Sequence, residues 1–365
     1  MKKTLSAALA ATLMLAALTG CGGGAAPAAS SAAPAAPAAP ASSSQAAASS
    51  APAAADITVG VAIRKFDDTF LTEERNAISA KADELGFKVD IVDSQASQTT
   101  QNDKVDMFIT KKYNALGINM QERSASDLVI EKAMCANIPV VFFNTEPFPE
   151  HMAKWENVYY VGAKAEESGT IQGQALAAYW LANPDADKNG DGVLQYAMLK
   201  GEPGHQDAEL RTEYSIKALE AAGIKVEKLA EDTAMWNRVD GQNKMQAFLA
   251  AHGDKIEAVL ANNDDMALGA IEALKAGGYF TGDKFMPVVG VDATEPGKVA
   301  IEEGTMLATA LNDAVNQGGA VAELTHLLAK GEKPTSSNFS YTVTDKQYVW
   351  IPYVAVTKEN LADFR

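Results

Sequence analysis

"ITVGVAI", Ile57–Ile63, is a short apolar run rich in β-branched residues, and a helical stretch follows it. That stretch, Leu71 to Leu85, places Leu71, Ile78, Ala82 and Leu85 on one face. The alternation continues outward through "KVDIVDS" (88–94), "ALGINM" (115–120) and "IPVVFF" (138–143), each separated by helical sequence. Strands flanked by helices at this rhythm imply right-handed βαβ crossovers and parallel sheets covered on both faces. A second set follows in "NVYYVGA", "VLQYAMLKG", "IKVEKLAEDT", "AVLANN" and "MPVVGVDA". The roughly 310 residues after the tether exceed one comfortable core, so the expected fold is α/β, with two similar doubly wound parallel-sheet domains. The chain should cross between them near Asn137–Phe142, Leu311–Asp313 and Val349–Pro352. That makes an N-terminal lobe of residues 56–138 plus 313–348, and a C-terminal lobe of 139–312 plus 349–365.

The N-terminal region has a different character. Lys2 and Lys3 precede an uncharged apolar stretch, Leu5–Leu18, too short for a bilayer and ending in small residues before Cys21. "LTGC" (18–21) resembles the bacterial lipoprotein cleavage box, which implies a signal peptide over 1–20 and a diacylglycerol on the Cys21 sulfur. Two acyl chains anchor stably where one binds reversibly. Residues 22–55 are almost entirely Ala, Pro, Ser and Gly, with no charge and no aromatic ring. They have nothing to bury and read as a disordered tether reaching about 30 Å.

All 47 acidic residues lie beyond the tether, against 29 Lys and Arg once Lys2 and Lys3 are set aside, a net charge of −18. So acidic a surface repels phosphate backbones and argues against nucleic acid as a partner. The second cysteine, Cys135, is expected to pack on a buried helix face, with no disulfide partner if Cys21 is lipidated.

Ligands of open α/β sheets gather at the carboxyl ends of strands. The residues there are polar and planar: Asp67-Asp68, Asn119, "GEPGHQDAELR", Asn262-Asn263-Asp264, Asp292 and Asn312-Asp313. Each alone reads equally as a helix N-cap. Together, carboxylates, carboxamides and a guanidinium suit the vicinal hydroxyls of a sugar, and burying them unpaired costs about 1–3 kcal/mol each. A pyranose also has apolar faces. Phe70 and Trp236 fall in loops after strands and either stack on those faces or simply pack in the core.

"KFDDTF", "VVFFNTEPF", "YYVGAKAEESGTIQG", "LKGEPGHQDAELRT", "DTAMW", "ANNDDMALGAIEALKAG", "VVGVDATEP" and "LNDAVNQ" together resemble the periplasmic galactose/glucose-binding proteins of bacterial sugar importers and chemotaxis. The similarity spans nearly everything from Asp56 onward. It implies the type I periplasmic-binding-protein fold and a pyranose held between Phe70 and Trp236. It further implies polar contacts from Asp68 to the 4-hydroxyl, from Asn119, His205, Asp207 and Arg211 around the ring, and from Asn263, Asp292 and Asn312. Arg64 departs from the pattern, standing where some relatives carry an aromatic residue; it either pairs with Asp67 or Asp68 or narrows the entrance.

"DKNGDGVLQ", Asp187–Gln195, has oxygen side chains at places one, three and five, Gly at six and Gln at nine. This matches an EF-hand loop until the twelfth place, where Met198 replaces the bidentate Glu. On its own the stretch is a calcium loop or an ordinary turn. The resemblance supplies the missing carboxylate from Glu257. One structural Ca2+ would then take Asp187, Asn189, Asp191, Gln195, the Val193 carbonyl and two Glu257 oxygens.

The resemblance implies extracytoplasmic binding of galactose or glucose by a monomer, with hinge closure as the signal read by an ABC permease and by a chemoreceptor. The competing reading from the residues is a glycosidase-like exported enzyme, with Asp68, Asp207 and His205 as acid and base. A transcription-repressor domain shares the architecture but needs an N-terminal helix-turn-helix, where this sequence has an export signal.

Overall fold

The computed structural model describes Ala53 and residues 56–365. The expected signal peptide, Cys21 and nearly all of the tether lie outside the described residues. Along the chain the first elements are β1 (Thr58–Ile63), α1 (Thr69–Leu85), β2 (Lys88–Asp93), α2 (Gln98–Thr110), β3 (Ala115–Ile118), α3 (Ser126–Ala136), β4 (Val140–Phe143), α4 (Pro149–Met152) and β5 (Val158–Gly162). There follow α5 (Ala165–Ala182), β6 (Val193–Lys200), α6 (Gln206–Ala221), β7 (Lys225–Thr233), α7 (Arg238–His252), β8 (Ala258–Ala261), α8 (Asp264–Ala276), β9 (Val288–Val289), α9 (Glu295–Glu303) and β10 (Ala308–Leu311). The last are α10 (Ala314–Ala329), β11 (Val343–Thr344), β12 (Tyr348–Trp350) and β13 (Val354–Thr357).

Among the described residues these strands form two sheets, ordered β11-β12-β5-β4-β3-β1-β2 and β13-β10-β9-β8-β6-β7. Pairing is parallel except for β11 with β12 and β10 with β13. Each sheet is doubly wound: strand order reverses beside β1 in the first and beside β6 in the second, and such a switch point is where ligands bind. The apolar runs are continuous because both sheet faces are covered. Val61, Ile63, Val141 and Phe143 pack on one side of the first sheet, while Ala62, Ile118, Val140 and Phe142 pack on the other. Burial of each large apolar side chain contributes about 1.5–3 kcal/mol. Gly60 interrupts β1 because the Phe108 ring lies against it; a Cβ there would sit 2.5 Å from the ring.

The expected lobe boundary needs correction. β4 and β5 belong to the first sheet, so "NVYYVGA" closes the N-terminal set rather than opening the second. The first crossing is therefore between Gly162 and Ala165, where α5 leaves to pack on α6 and β10, and not at Asn137–Phe142. The chain returns after Leu311, since α10 packs on α1, β3 and β4, and it crosses again between Trp350 and Val354. Cys135 is also corrected: it is exposed. Helix α3 buries Ser126, Val129, Ile130 and Ala133, and Cys135 lies about 200° round from Ala133.

Candidate functional site

The carboxyl ends of both sheets face one cavity, lined by Arg64, Asp68, Phe70, Leu71, Asn144, His205, Asp207, Arg211, Trp236, Asn263, Asp292 and Asn312. Strand ends deliver nearly all of them. Arg64, Asp68 and Phe70 follow β1, His205 and Asp207 follow β6, Trp236 follows β7, Asn263 follows β8, and Asn312 follows β10.

Several of these groups are helix caps and site residues at once. Asp68 caps α1 by accepting from the Leu71 amide (3.0 Å), and Asn263 caps α8 by accepting from Met266 (3.0 Å). His205 caps α6, its Nδ1 accepting from the Asp207 amide at 3.2 Å. Burial and the nearby Arg64 and Arg211 guanidiniums hold its pKa well below the ordinary value, so the ring is neutral. With Nδ1 an acceptor, the proton sits on Nε2, which is a donor. The cap and site readings are therefore not alternatives, because a cap fixes the rotamer that a binding group needs.

Arg211 organises the second lobe's side. Its Nη2 donates to Asp207 Oδ2 and to Tyr353 Oη, each at 3.0 Å, its Nη1 donates to the Asn262 carbonyl at 2.7 Å, and Asp292 lies 3.9 Å away. Burial raises the carboxyl pKa of Asp207 against the pull of Arg211, and raises that of Asp292 further. Asn312 donates to Asp292 (3.4 Å) and accepts from Gln317 (2.6 Å). Trp236 stands edge-on to His205, ring centroids 5.2 Å apart. Gly201 lets it settle: a Cβ at that position would lie 2.1 Å from the indole. Among the described residues Arg64 Nε, Arg211 Nε and Trp236 Nε1 are buried donors without a partner.

Nine of the ten expected sugar contacts line the cavity. Asn119 does not. It is fully buried behind the wall, its Oδ1 accepting from the Arg64 amide (3.2 Å) and its Nδ2 donating to Asn144 Oδ1 (3.1 Å). Asn144 takes the place at the wall, at the end of β4 and with a positive φ of 58° that Asn tolerates. A polar residue ending "VVFF" was the available signal. Arg64 is corrected too. It pairs with Glu202 from the other lobe rather than with Asp67 or Asp68, while Lys65 takes Asp68 at 3.5 Å.

A periplasmic binding protein domain model matches residues 59–333. The chain belongs to the periplasmic binding protein family. That family consists of sugar-binding transport proteins rather than enzymes and acts outside the cytoplasm. The chain is 45% identical to the D-galactose/methyl-galactoside binding periplasmic protein MglB of Haemophilus influenzae, over 86% of this chain and 93% of that protein. It is 30% identical to the ribose import binding protein RbsB of Escherichia coli, over 78% and 88%. An ABC transporter solute binding protein from Bacillus halodurans, solved with bound myo-inositol, superposes with a TM-score of 0.72 at 28% identity, covering 86% of this chain and 98% of that one. Among the described residues no helix is long and apolar enough to cross a membrane.

Away from the cavity, Glu257 does reach the 187–195 loop. Buried, it accepts from the Lys188 amide (2.7 Å) and the Gln195 amide (3.0 Å), and burial raises its pKa against those two bonds. Asn189 Nδ2 and Gln195 Nε2 both converge on Asp191 Oδ2 at 2.9 Å. Among the described residues no three His, Cys, Asp or Glu side chains form a metal cluster, so the expected carboxylates Asp187, Asp191 and Glu257 do not gather at one point. The expected donors, carboxylate, carboxamide and carbonyl oxygens, are of the kind a hard cation takes, although Asn189 Oδ1 is at present engaged by the Asp191 amide (2.9 Å).

Proposed function

We propose that the protein binds one D-aldohexose, galactose or glucose, in the cavity between its lobes and delivers it to the permease of an ABC importer. The observation that carries this reading is the trio of buried, unpartnered donors, Arg64 Nε, Arg211 Nε and Trp236 Nε1, set among the Asp68, Asp207 and Asp292 carboxyls. Each unpaired donor costs about 1–3 kcal/mol until a ligand oxygen satisfies it. A sugar hydroxyl both donates and accepts, so it answers acids and donors together. Mixed charge argues against an anion or a cation. The resemblance narrows that class to aldohexoses, and the 45% identity to MglB supports galactose among them.

Ligand contacts come from both lobes, so closure is favoured only with sugar bound. The closed form is what a permease would read, and a chemoreceptor would recognise the same surface. One structural Ca2+ at Asp187, Asn189, Asp191, Val193, Gln195 and Glu257 would tie the loop to the strand entering β8. A lipid on Cys21 would hold the domain at the membrane. Titration calorimetry of the wild-type domain with D-galactose and D-glucose tests the central reading. The expected result is saturable one-to-one heat with at least one of them. Heat with ribose or myo-inositol but neither hexose would replace the assignment.

A further inference from the structure

Resting on the hexose reading, we infer that Arg64 is a specificity-determining residue that contacts the sugar through Nε while locking the lobes together through Glu202. Arg64 leaves the end of β1, lines the cavity, and is 4% exposed. Its backbone is fixed twice: the amide donates to Asn119 Oδ1 (3.2 Å), and the carbonyl accepts from the Ala96 amide (2.8 Å). The side chain is therefore anchored from the first lobe.

Glu202 comes from the second lobe, just beyond β6. Its Oε2 takes Arg64 Nη2, and its Oε1 takes Gln121 Nε2 at 3.1 Å. Both oxygens of one carboxylate are thus held by the opposite lobe. Glu202 also follows Gly201, whose amide donates to Asn262 Oδ1 (2.9 Å) and which seats the Trp236 ring, so the lock and the aromatic plate share one short segment.

The guanidinium divides its work. Nη2 serves the lock, while Nε is buried with no partner among the described residues. A planar guanidinium fixes the direction of Nε–H once Nη2 is engaged. The donor is then aimed by a contact that exists only when the lobes meet. A sugar oxygen that accepts from Nε strengthens the lock, and the lock pre-orients the donor. Thr69 Oγ1 to Asp265 Oδ2 (2.7 Å) and Gln206 Nε2 to Glu146 Oε2 (2.9 Å) also join the lobes, but neither Thr69, Asp265, Gln206 nor Glu146 lines the cavity. Arg64 alone among these cross-lobe groups both joins and reads.

The test is calorimetry of wild type, Arg64→Met, Arg64→Lys and Glu202→Gln with D-galactose, D-glucose and a set of monodeoxy-hexoses. Melting curves without sugar check that each variant is folded. The expected result is a loss of at least about tenfold in affinity for the parent sugar in Arg64→Met, the size of a hydrogen bond to a charged donor. That loss should nearly vanish for the one deoxy sugar lacking the accepting oxygen. Glu202→Gln should weaken all sugars alike and speed their release. Equal loss for every sugar in Arg64→Met would overturn the contact and leave only a lock, and unchanged affinity in Arg64→Met would overturn both. Wild type that takes up neither hexose overturns the hexose reading itself, a separate outcome.

Discussion

The interlobe cavity and the 187–195 loop are both dense in side-chain oxygen, yet they are wired differently. In the loop nearly every carboxylate oxygen already accepts from local backbone: Asp187 takes the amides of Gly190, Asp191 and Gly192, Asp191 takes Val193, and Glu257 takes Lys188 and Gln195. The cavity leaves buried donors open instead. A cation needs acceptors only, held in a loop that is already shaped; a polyol needs donors and acceptors offered together and waiting.

The largest expected effect breaks the cavity side. Arg211→Met removes the cation that holds Asp207, Tyr353 and, less closely, Asp292. Stranding buried carboxyls should cost about 3–5 kcal/mol of stability and abolish measurable hexose binding, checked by denaturant melts and calorimetry. The loop side is tested next. EDTA should lower the melting temperature of wild type, by the equivalent of about 2.7 kcal/mol where calcium was in hundredfold excess over its Kd. Glu257→Gln should melt at the same temperature with and without EDTA. An EDTA-insensitive wild type would leave the loop a self-satisfied turn.

The smallest effect concerns a carboxyl beneath the cavity. Burial, partly offset by bonds from Thr309 (2.6 Å) and Thr294 (2.9 Å), pushes Asp264 up to about 7. Folding therefore favours its protonated form. Its contribution is complete below the ordinary carboxylate pKa and is lost as pH rises through 7. Relative to wild type, Asp264→Asn should gain on the order of 1–2 kcal/mol between about pH 6 and about pH 8, read as a narrowing difference in melting temperature.

Much of this was legible in the sequence because it is local. β1 to β9 showed themselves as short apolar runs whose polar ends pointed to the cavity, whereas β11, β12 and β13 near the C-terminus did not. What failed was non-local. Whether "NVYYVGA" pairs with the first or the second sheet depends on β4 and on β12, the latter more than half the chain away. Asn119 has the right chemistry and position, but its amide is consumed by Arg64 and Asn144, a fact of packing that no spacing encodes. Arg64 was read against its neighbours at 67 and 68, while its partner, Glu202, lies on the other lobe. Contacts that close the cleft are made between segments far apart in the chain, so they are the last thing a sequence reveals.

A crystal structure of the wild-type domain grown with excess D-galactose tests the account most directly. The expected density is one pyranose between Phe70 and Trp236, with ring or hydroxyl oxygens within hydrogen-bond distance of Arg64 Nε, Arg211 Nε and Trp236 Nε1. Density for water alone in that cavity, with those three donors still unpaired, would contradict it.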